Sequence, residues 1–385
     1  ENLKAIALTH CHIDHSGALP FLYKNLSVPL FTNPITLKIV EILIKDMLEI
    51  SNFSYPFGLR ELHKVLQNSY YLNNRKRKKI SENFYITFLN AGHIPGSVSI
   101  LLEIDKKTIL YSGDINNQHT NLVNPAISLD LPKLDMLIVE STYALKNHPP
   151  RVELEKKFVE KVINITENGG RVLIPAFGVA RSQEALLILQ KYNYKGTIFI
   201  DGMARKICNL YLEHPEFLKS IESYQNALKK AKFISSKKGR NFARNSNGVI
   251  IAPSGMLKGG AAIDFIKSFL CDPDSAIYLI GYQVEGSPGR RLLDEGIIDF
   301  NEKNKKKKIK DFKIKAECEY EYFDFSSHAD GEHIHKYIEN LKFKNNSRTI
   351  LCVHGDSKVT TTFASELIKK SCISVAPEIG ESYKL

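Results

Sequence analysis

Three histidines and an aspartate crowd into six positions of the segment Thr9-His10-Cys11-His12-Ile13-Asp14-His15-Ser16-Gly17. The whole chain has only 12 histidines in 385 residues, so a cluster of this form points to a motif rather than to chance. Imidazole nitrogens and carboxylate oxygens are the donors that suit zinc and its neighbours in the first transition row. Residues two apart on an extended segment share a face, which aims His10 and His12 together. Asp14 and His15 fall in the turn that follows. One loop can therefore feed two metals, His10 and His12 to one and Asp14 and His15 to the other. The competing reading is a surface histidine cluster with no ligand. Cys11 alternates away from its neighbours and reads as a packed thiol.

More chemistry-bearing residues recur where apolar, strand-like runs end. His93 lies in Ala91-Gly92-His93-Ile94-Pro95-Gly96-Ser97 after the run Phe84 to Leu89. Asp114 closes Ser112-Gly113-Asp114 and is placed to bridge two metals. Glu140 opens Glu140-Ser141-Thr142-Tyr143 after Leu134 to Val139. His328 sits in Ser326-Ser327-His328-Ala329-Asp330, and His354 follows Thr349 to Val353. Loops at strand ends carry function more often than the strands do. Any one of these residues alone would read as a turn or core residue. Behind the opening cluster they read as ligands and catalytic groups. The other six histidines, His63, His119, His148, His214, His333 and His335, read as ordinary surface residues.

The elements that must position these residues alternate strand and helix. A strand is expected at Lys4 to Thr9, a helix at Gly17 to Tyr23, and helices at Ile35 to Ile50 and Leu59 to Leu66. From Pro149 onward the alternation is regular, which predicts a parallel sheet with crossover helices. The length predicts two domains. A formal charge of +11 favours a polyanionic partner, nucleic acid or an acidic membrane surface. No apolar run approaches the ~20 residues of a membrane span. The opening residues resemble no leader peptide. Six scattered cysteines without Cys-x-x-Cys suit a reduced, cytoplasmic protein. Two glycine-rich turns, Pro253-Ser254-Gly255-Met256 and Glu285-Gly286-Ser287-Pro288-Gly289-Arg290-Arg291, can cradle phosphate through backbone amides, or be turns only. The basic runs Arg75 to Lys79 and Lys303 to Lys310 read as solvated loops, with phosphate contact the alternative for the first.

In their order along the chain, these motifs resemble the metallo-β-lactamase superfamily in its β-CASP branch. Thr9 to Gly17 is similar to the superfamily's second motif, His93 to its third and Asp114 to its fourth. Glu140 resembles motif A, His328 motif B and His354 motif C. The similarity extends over Gly170 to Leu189 and Ile280 to Leu293. Within the branch, Glu-Ser-Thr-Tyr and Gly-Tyr-Gln-Val-Glu-Gly-Ser-Pro-Gly-Arg-Arg look most like the endonuclease subunit of the cleavage and polyadenylation specificity factor and its archaeal and bacterial relatives.

The resemblance implies an α/β fold: a metallo-β-lactamase αβ/βα sandwich from residues 1–145 and 327–385, with a parallel-sheet β-CASP domain, 146–326, inserted. The family's first strands lie upstream of the second motif, so the N-terminal strands are expected to be missing from this sequence. Two Zn2+ per chain are implied, with Mn2+ also acceptable to the donors. One would take His10, His12, His93 and Asp114, the other Asp14, His15, Asp114 and His354. The implied activity is hydrolysis of single-stranded RNA, endonucleolytic and of the 3′-end processing type. His328 would be the general acid, Glu140 its orienting partner, and Asp14 counts with the catalytic residues as well as the ligands. Ser254, Gly255, Ser287, Arg290 and Arg291 would contact RNA phosphates. A homodimer and membership of an RNA-processing complex are further expectations, and a membrane partner is not. Two alternatives stay open: a 5′→3′ exoribonuclease on the same site, and a non-catalytic RNA-processing scaffold.

Overall fold

The computed structural model describes residues 3–50, 54–303, 309–344 and 348–383. The chain forms two compact units, Glu1–Asn147 with Ser327–Leu385, and His148–Ser326.

In the first unit, β1 (Ile6–Ala7), β2 (Leu30–Thr32) and β3 (Ser69–Tyr71) make a three-stranded parallel sheet. Strands β4 (Arg77–Ser81), β5 (Phe84–Asn90), β6 (Val98–Ile104), β7 (Lys107–Tyr111) and β8 (Met136–Glu140) join the chain's last two strands in a seven-stranded sheet. Its order is Ile373–Val375, Thr349–Val353, β8, β7, β6, β5, β4, antiparallel from β4 to β7 and parallel beyond.

The period of two in β5 and β6 builds the layers. Ile86, Phe88, Val98 and Ile100 pack with Phe31 against the small sheet. The intervening Leu89 and Leu101 point the other way and pack with Leu110, Leu137 and Val139. That second face is covered by the helices Gly331–Asn340 and Ser357–Lys369, through Ile334, Tyr337, Ile338, Phe363 and Leu367. The spacing Ile334, Tyr337, Ile338 is the stripe that helical periodicity requires. The two sheets thus face one another, with helices on the outer face of the larger one.

The second unit is wound on a parallel sheet. Strands β9 (Arg171–Pro175), β10 (Ile198–Ile200), β11 (Ala231–Phe233), β12 (Gly248–Ala252), β13 (Ala276–Leu279) and β16 (Glu319–Tyr322) lie in the order β11-β10-β12-β9-β13-β16. Helices cover both faces, so β9 from Val172 onward, β12 and β13 read as apolar runs and are buried. Between β13 and β16 the chain makes an antiparallel hairpin of β14 (Ile297–Lys303) and β15 (Ile309–Lys315). Among the described residues no helix is long and apolar enough to cross a membrane.

Three expectations shift. The first motif is not strand followed by loop. The strand is only Ile6–Ala7, and Ile13–Ser16 already forms a helical turn, with Leu19–Leu22 a second one. Arg75 to Lys79 is no loop either, since Arg77–Ser81 is the edge strand β4. There the Arg77 guanidinium lies 3.4 Å over the Tyr85 ring and pairs with Glu103 at 2.7 Å, so the basic run alternates like a strand. The lysine run Lys303 to Lys310 ends in β14 and β15, while residues 304–308 lie outside the described residues.

Candidate metal centre

Four loops at strand ends of the first unit bring the motif residues together. The first follows β1, where the Val98 amide donates to the Thr9 carbonyl at 2.9 Å and holds the segment against β6. The His93 loop follows β5. The amides of His93 and Ile94 both donate to Ser97 Oγ at 3.1 Å. Asn33 Nδ2 and Thr36 Oγ1 donate to the Gly96 carbonyl and pin the loop's other end. Asp114 follows β7, and His354 follows the strand Thr349–Val353.

Two glycines let these loops close. Gly92 has φ +70°, and a Cβ there would sit 2.1 Å from the Asn116 carbonyl oxygen. Gly113 has φ +56°, and a Cβ there would sit 2.9 Å from Thr9 Cγ2. His354 itself takes φ +54°, a conformation that costs a non-glycine residue energy and that recurs at functional sites.

The donor atoms converge in two groups. His12 Nδ1 lies 3.1 Å from both His10 Nε2 and His93 Nε2. Asp114 Oδ2 lies 3.3 Å from His10 Nε2 and 3.7 Å from His93 Nε2. In the second group His15 Nε2 is 3.1 Å from His354 Nε2. Asp14 Oδ2 is 3.6 Å from the first of these and 3.5 Å from the second. Asp114 Oδ2 is also 3.4 Å from His15 Nε2, so one carboxylate oxygen borders both groups. Metal–donor bonds of about 2.0–2.1 Å in a tetrahedron imply donor–donor edges of ~3.4 Å, which is the spacing of both groups. Asp114 Oδ1 is buried with no hydrogen-bond donor among the described residues. A bare pair of approaching ring nitrogens satisfies at most one proton, so these donors fit divalent cations better than one another. Cys11 is fully buried and stands outside both groups.

Charge agrees with ligation. Burial pulls the His10 imidazole below its ordinary range despite Asp114, and pulls His93 well below. Burial pushes Asp114 up, but His10 and His15 outweigh it and hold the carboxyl well below the usual range. Asp14 is likewise held down by His354 against burial. Neutral imidazole and ionised carboxylate are the forms that bind metal. His354 is the exception: burial lowers it, yet Asp14 and Asp114 bring it up to about 9.

A second layer fixes these rings. His93 Nδ1–H donates to the Ser327 carbonyl at 2.8 Å, and His10 Nδ1 meets Thr9 Oγ1 at 3.2 Å. Glu140, 1% exposed at the end of β8, is the hub. Its Oε1 accepts the Ile115 amide at 2.6 Å. Its Oε2 accepts Nδ1–H of His328 at 2.8 Å and Oγ–H of Thr142 at 2.6 Å. Thr142 Oγ in turn accepts Nδ1–H of His354 at 3.0 Å. His328 Nε2 faces the donor groups, 4.0 Å from Asp114 Oδ2. Burial lowers the His328 imidazole, but Glu140 outweighs it and the net shift is upward.

The residues His10, His12, Asp14, His15, His93, Asp114, Glu140, His328 and His354 therefore form one assembly within the first unit. Ser254, Gly255, Ser287, Arg290 and Arg291 lie in the second unit. Ser287 is fully buried and caps the helix Pro288–Glu295 by accepting the Arg290 amide, so its hydroxyl is not open to a phosphate. Ser254 Oγ accepts the Lys258 amide, and the Gly255 carbonyl accepts Gln283 Nε2. Arg290 pairs with Asp294, and Arg291 with Glu295 and Asp299.

Thr142, Thr9 and the Ser327 carbonyl escaped the sequence reading. Each stands within a motif, but its residue type alone implies no role. His148, read as a surface residue, instead has a side chain 7% exposed and bonded to Asp324 at 2.9 Å.

Comparison with known proteins places the chain in a family. Residues 1–154 match the metallo-beta-lactamase superfamily, 182–292 the Beta-Casp domain, and 313–376 the Zn-dependent metallo-hydrolase RNA specificity domain. A probable RNase named MJ4 from Methanocaldococcus jannaschii is 34% identical, over 99% of this chain and 88% of its own length. RNase aCSPSF2 from Saccharolobus solfataricus is 32% identical over 100% and 75%. The transcription termination factor FttA of Pyrococcus horikoshii is 32% identical over 100% of this chain and 62% of its own length.

Proposed function

Because the chain belongs to the metallo-β-lactamase superfamily, in the branch carrying a β-CASP domain, we propose that it is a zinc-dependent endoribonuclease of single-stranded RNA. One observation carries the reading. A carboxylate-held imidazole, His328 on Glu140 at 2.8 Å, faces a donor assembly shaped for two metals.

In this reading one Zn2+ is held by His10, His12, His93 and Asp114. A second is held by Asp14, His15, Asp114 and His354. When bound, such ions acidify water and neutralise phosphate charge, with a water pKa brought from 15.7 toward about 7. The chain's own residues do the rest. Glu140 fixes the His328 tautomer with hydrogen on Nδ1, which leaves Nε2 as the atom that carries the mobile proton. The carboxylate also favours the protonated ring. His328 Nε2 then delivers that proton to the departing 3′ oxygen, leaving 3′-hydroxyl and 5′-phosphate ends. Thr142 holds Nδ1–H of His354, which turns its Nε2 toward Asp14 and His15.

The scaffold alternative loses support because every donor of both groups is present and converges. The exonuclease alternative needs a pocket for a 5′-phosphate. Ser287 and Ser254 accept local amides instead, and both arginines are held by carboxylates on or near their own helix. Arg290 and Arg291 are proposed to touch the RNA backbone rather than capture an end. Transcripts whose 3′ ends are formed by internal cleavage are the proposed target, by analogy with relatives named as RNases and as a termination factor. Homodimerisation and assembly into a processing complex belong to the same proposal.

A circular single-stranded RNA tests the mode directly. The zinc-loaded chain should open the circle and give linear product of unit length. A circle left intact while linear RNA of the same sequence is degraded would establish exonuclease action and refute the reading.

A further inference from the structure

Residues 223–263 of the second unit contain no aspartate or glutamate, and seven lysines and arginines fall within residues 229–244. This acid-free stretch forms the edge strand β11 and the helix Lys237–Arg244. Two of its cations are committed inward. Arg240 pairs with Asp201 at 2.6 Å and Asp264 at 2.8 Å, and Arg244 donates to the Asp264 carbonyl at 2.6 Å. Arg240 thereby offsets part of the charge of the two nearby carboxylates. Lys229, Lys230, Lys232, Lys237 and Lys238 are exposed, and none pairs with a carboxylate among the described residues.

A solvated lysine face explains the charge but not the aromatic set into it. Phe242 is 62% exposed. Its ring stands edge-on to Phe199, 6.1 Å between centroids, and Lys232 Nζ lies 5.8 Å over that same Phe199 ring. Phe199 is 2% exposed and belongs to the core, so Phe242 is a braced platform rather than a loose side chain. On the helix, Lys238 and Phe242 are four apart and share a face, with Lys237, Asn241 and Asn245 beside them. A positive face around an open π-surface is what single-stranded nucleic acid requires. Bases stack whatever their identity, and phosphates follow the cations.

We propose that the β11 edge and the helix Lys237–Arg244 form an RNA-anchoring surface of the second unit. A base stacks on Phe242, and neighbouring phosphates lie against Lys232, Lys237 and Lys238. The choice of RNA as the polyanion rests on the ribonuclease reading. The surface itself contains none of the residues assigned to metal binding or proton transfer.

The test is a fluorescence titration of the full chain, in chelator, with a 20-nucleotide oligo(U) at several salt concentrations. Phe242→Ala should weaken binding roughly 5- to 100-fold with an unchanged salt slope, and Phe242→Tyr should retain affinity. The triple variant Lys232→Ala, Lys237→Ala, Lys238→Ala should flatten the slope of log affinity against log salt by about 2, at ~0.7 per lost phosphate contact. Hydrolysis of bis(p-nitrophenyl) phosphate by the zinc-loaded variants should equal wild type. Unchanged affinity and slope in both variants overturns the anchoring surface alone, with wild-type RNA cleavage standing apart as the check on the ribonuclease reading. Tighter binding of poly-L-glutamate than of oligo(U) of equal charge also overturns it, and assigns the face to an acidic protein.

Discussion

Asp114 Oδ2 borders every imidazole of both donor groups except His12 and His354, and its second oxygen, Oδ1, lies 3.6 Å from His354 Nδ1. Among the described residues no other side chain is shared by the two groups in this way. Asp114→Asn should therefore empty both positions, and metal analysis should find far less than one zinc per chain. His354 depends on a smaller group. Thr142→Val removes the acceptor of its Nδ1–H and should weaken the second ion 10- to 100-fold, the usual effect of losing a ligand's orienting partner. Thr142→Ser should restore it, since the hydroxyl is what acts. Competition with a chromophoric chelator reads both variants without any assay of activity. At this scale the sequence was informative wherever a residue type alone implies a donor. It was silent on Thr142, Thr9 and Ser327, whose roles depend on which atoms the fold places within 3.3 Å of a ring nitrogen.

The elements that carry these residues owe their place to packing. Leu137 on β8 is fully buried between the helices Gly331–Asn340 and Ser357–Lys369 and the sheet that ends in Glu140. Leu137→Ala should cost about 2–5 kcal/mol in denaturant unfolding, with most of the effect in a lower midpoint. In the second unit Arg171 at the start of β9 pairs with Asp272. Burial raises the Asp272 carboxyl, but Ser275 and then Arg171 outweigh it and hold it below its ordinary value. A depressed carboxyl stabilises the fold above the unfolded-state pKa of ~3.9 and loses that contribution as pH falls through its folded value. Asp272→Asn should thus destabilise at neutral pH, and the difference from wild type should shrink below about pH 4 in the same measurement. The period-two runs of β5 and β6 and the apolar runs of β9, β12 and β13 were legible because burial on one face or both writes itself into the sequence. The helical turn Ile13–Ser16 was not, because four residues carry too little periodicity to separate from a loop. Strand β4 was hidden by its own composition: an edge strand can be nearly all lysine and arginine, which reads as a loop.

For the whole molecule, metal is the linkage that should matter most to stability. An ion that binds only the folded chain raises its stability by about 2.7 kcal/mol at a hundredfold excess over the dissociation constant. Chelator should lower the unfolding temperature, zinc should restore it, and Asp114→Asn should show neither response. The charge of +11 was visible at once and suggested a polyanion, yet composition could not say where the cations gather. The stretch 229–244 gathers seven of them, and folding commits two of the seven, Arg240 and Arg244, to internal partners.

The account's central claim is that His328, held by Glu140, protonates the departing 3′ oxygen in a metal-dependent cleavage. Its most direct test compares His328→Ala with wild type on RNA carrying either an ordinary 3′ oxygen or a bridging 3′ sulfur at the scissile bond. Sulfur leaves without a proton. The account predicts a loss of about 10²–10⁴ on the oxygen substrate with zinc content unchanged, and near wild-type rates on the sulfur substrate. An equal loss on both substrates would contradict it.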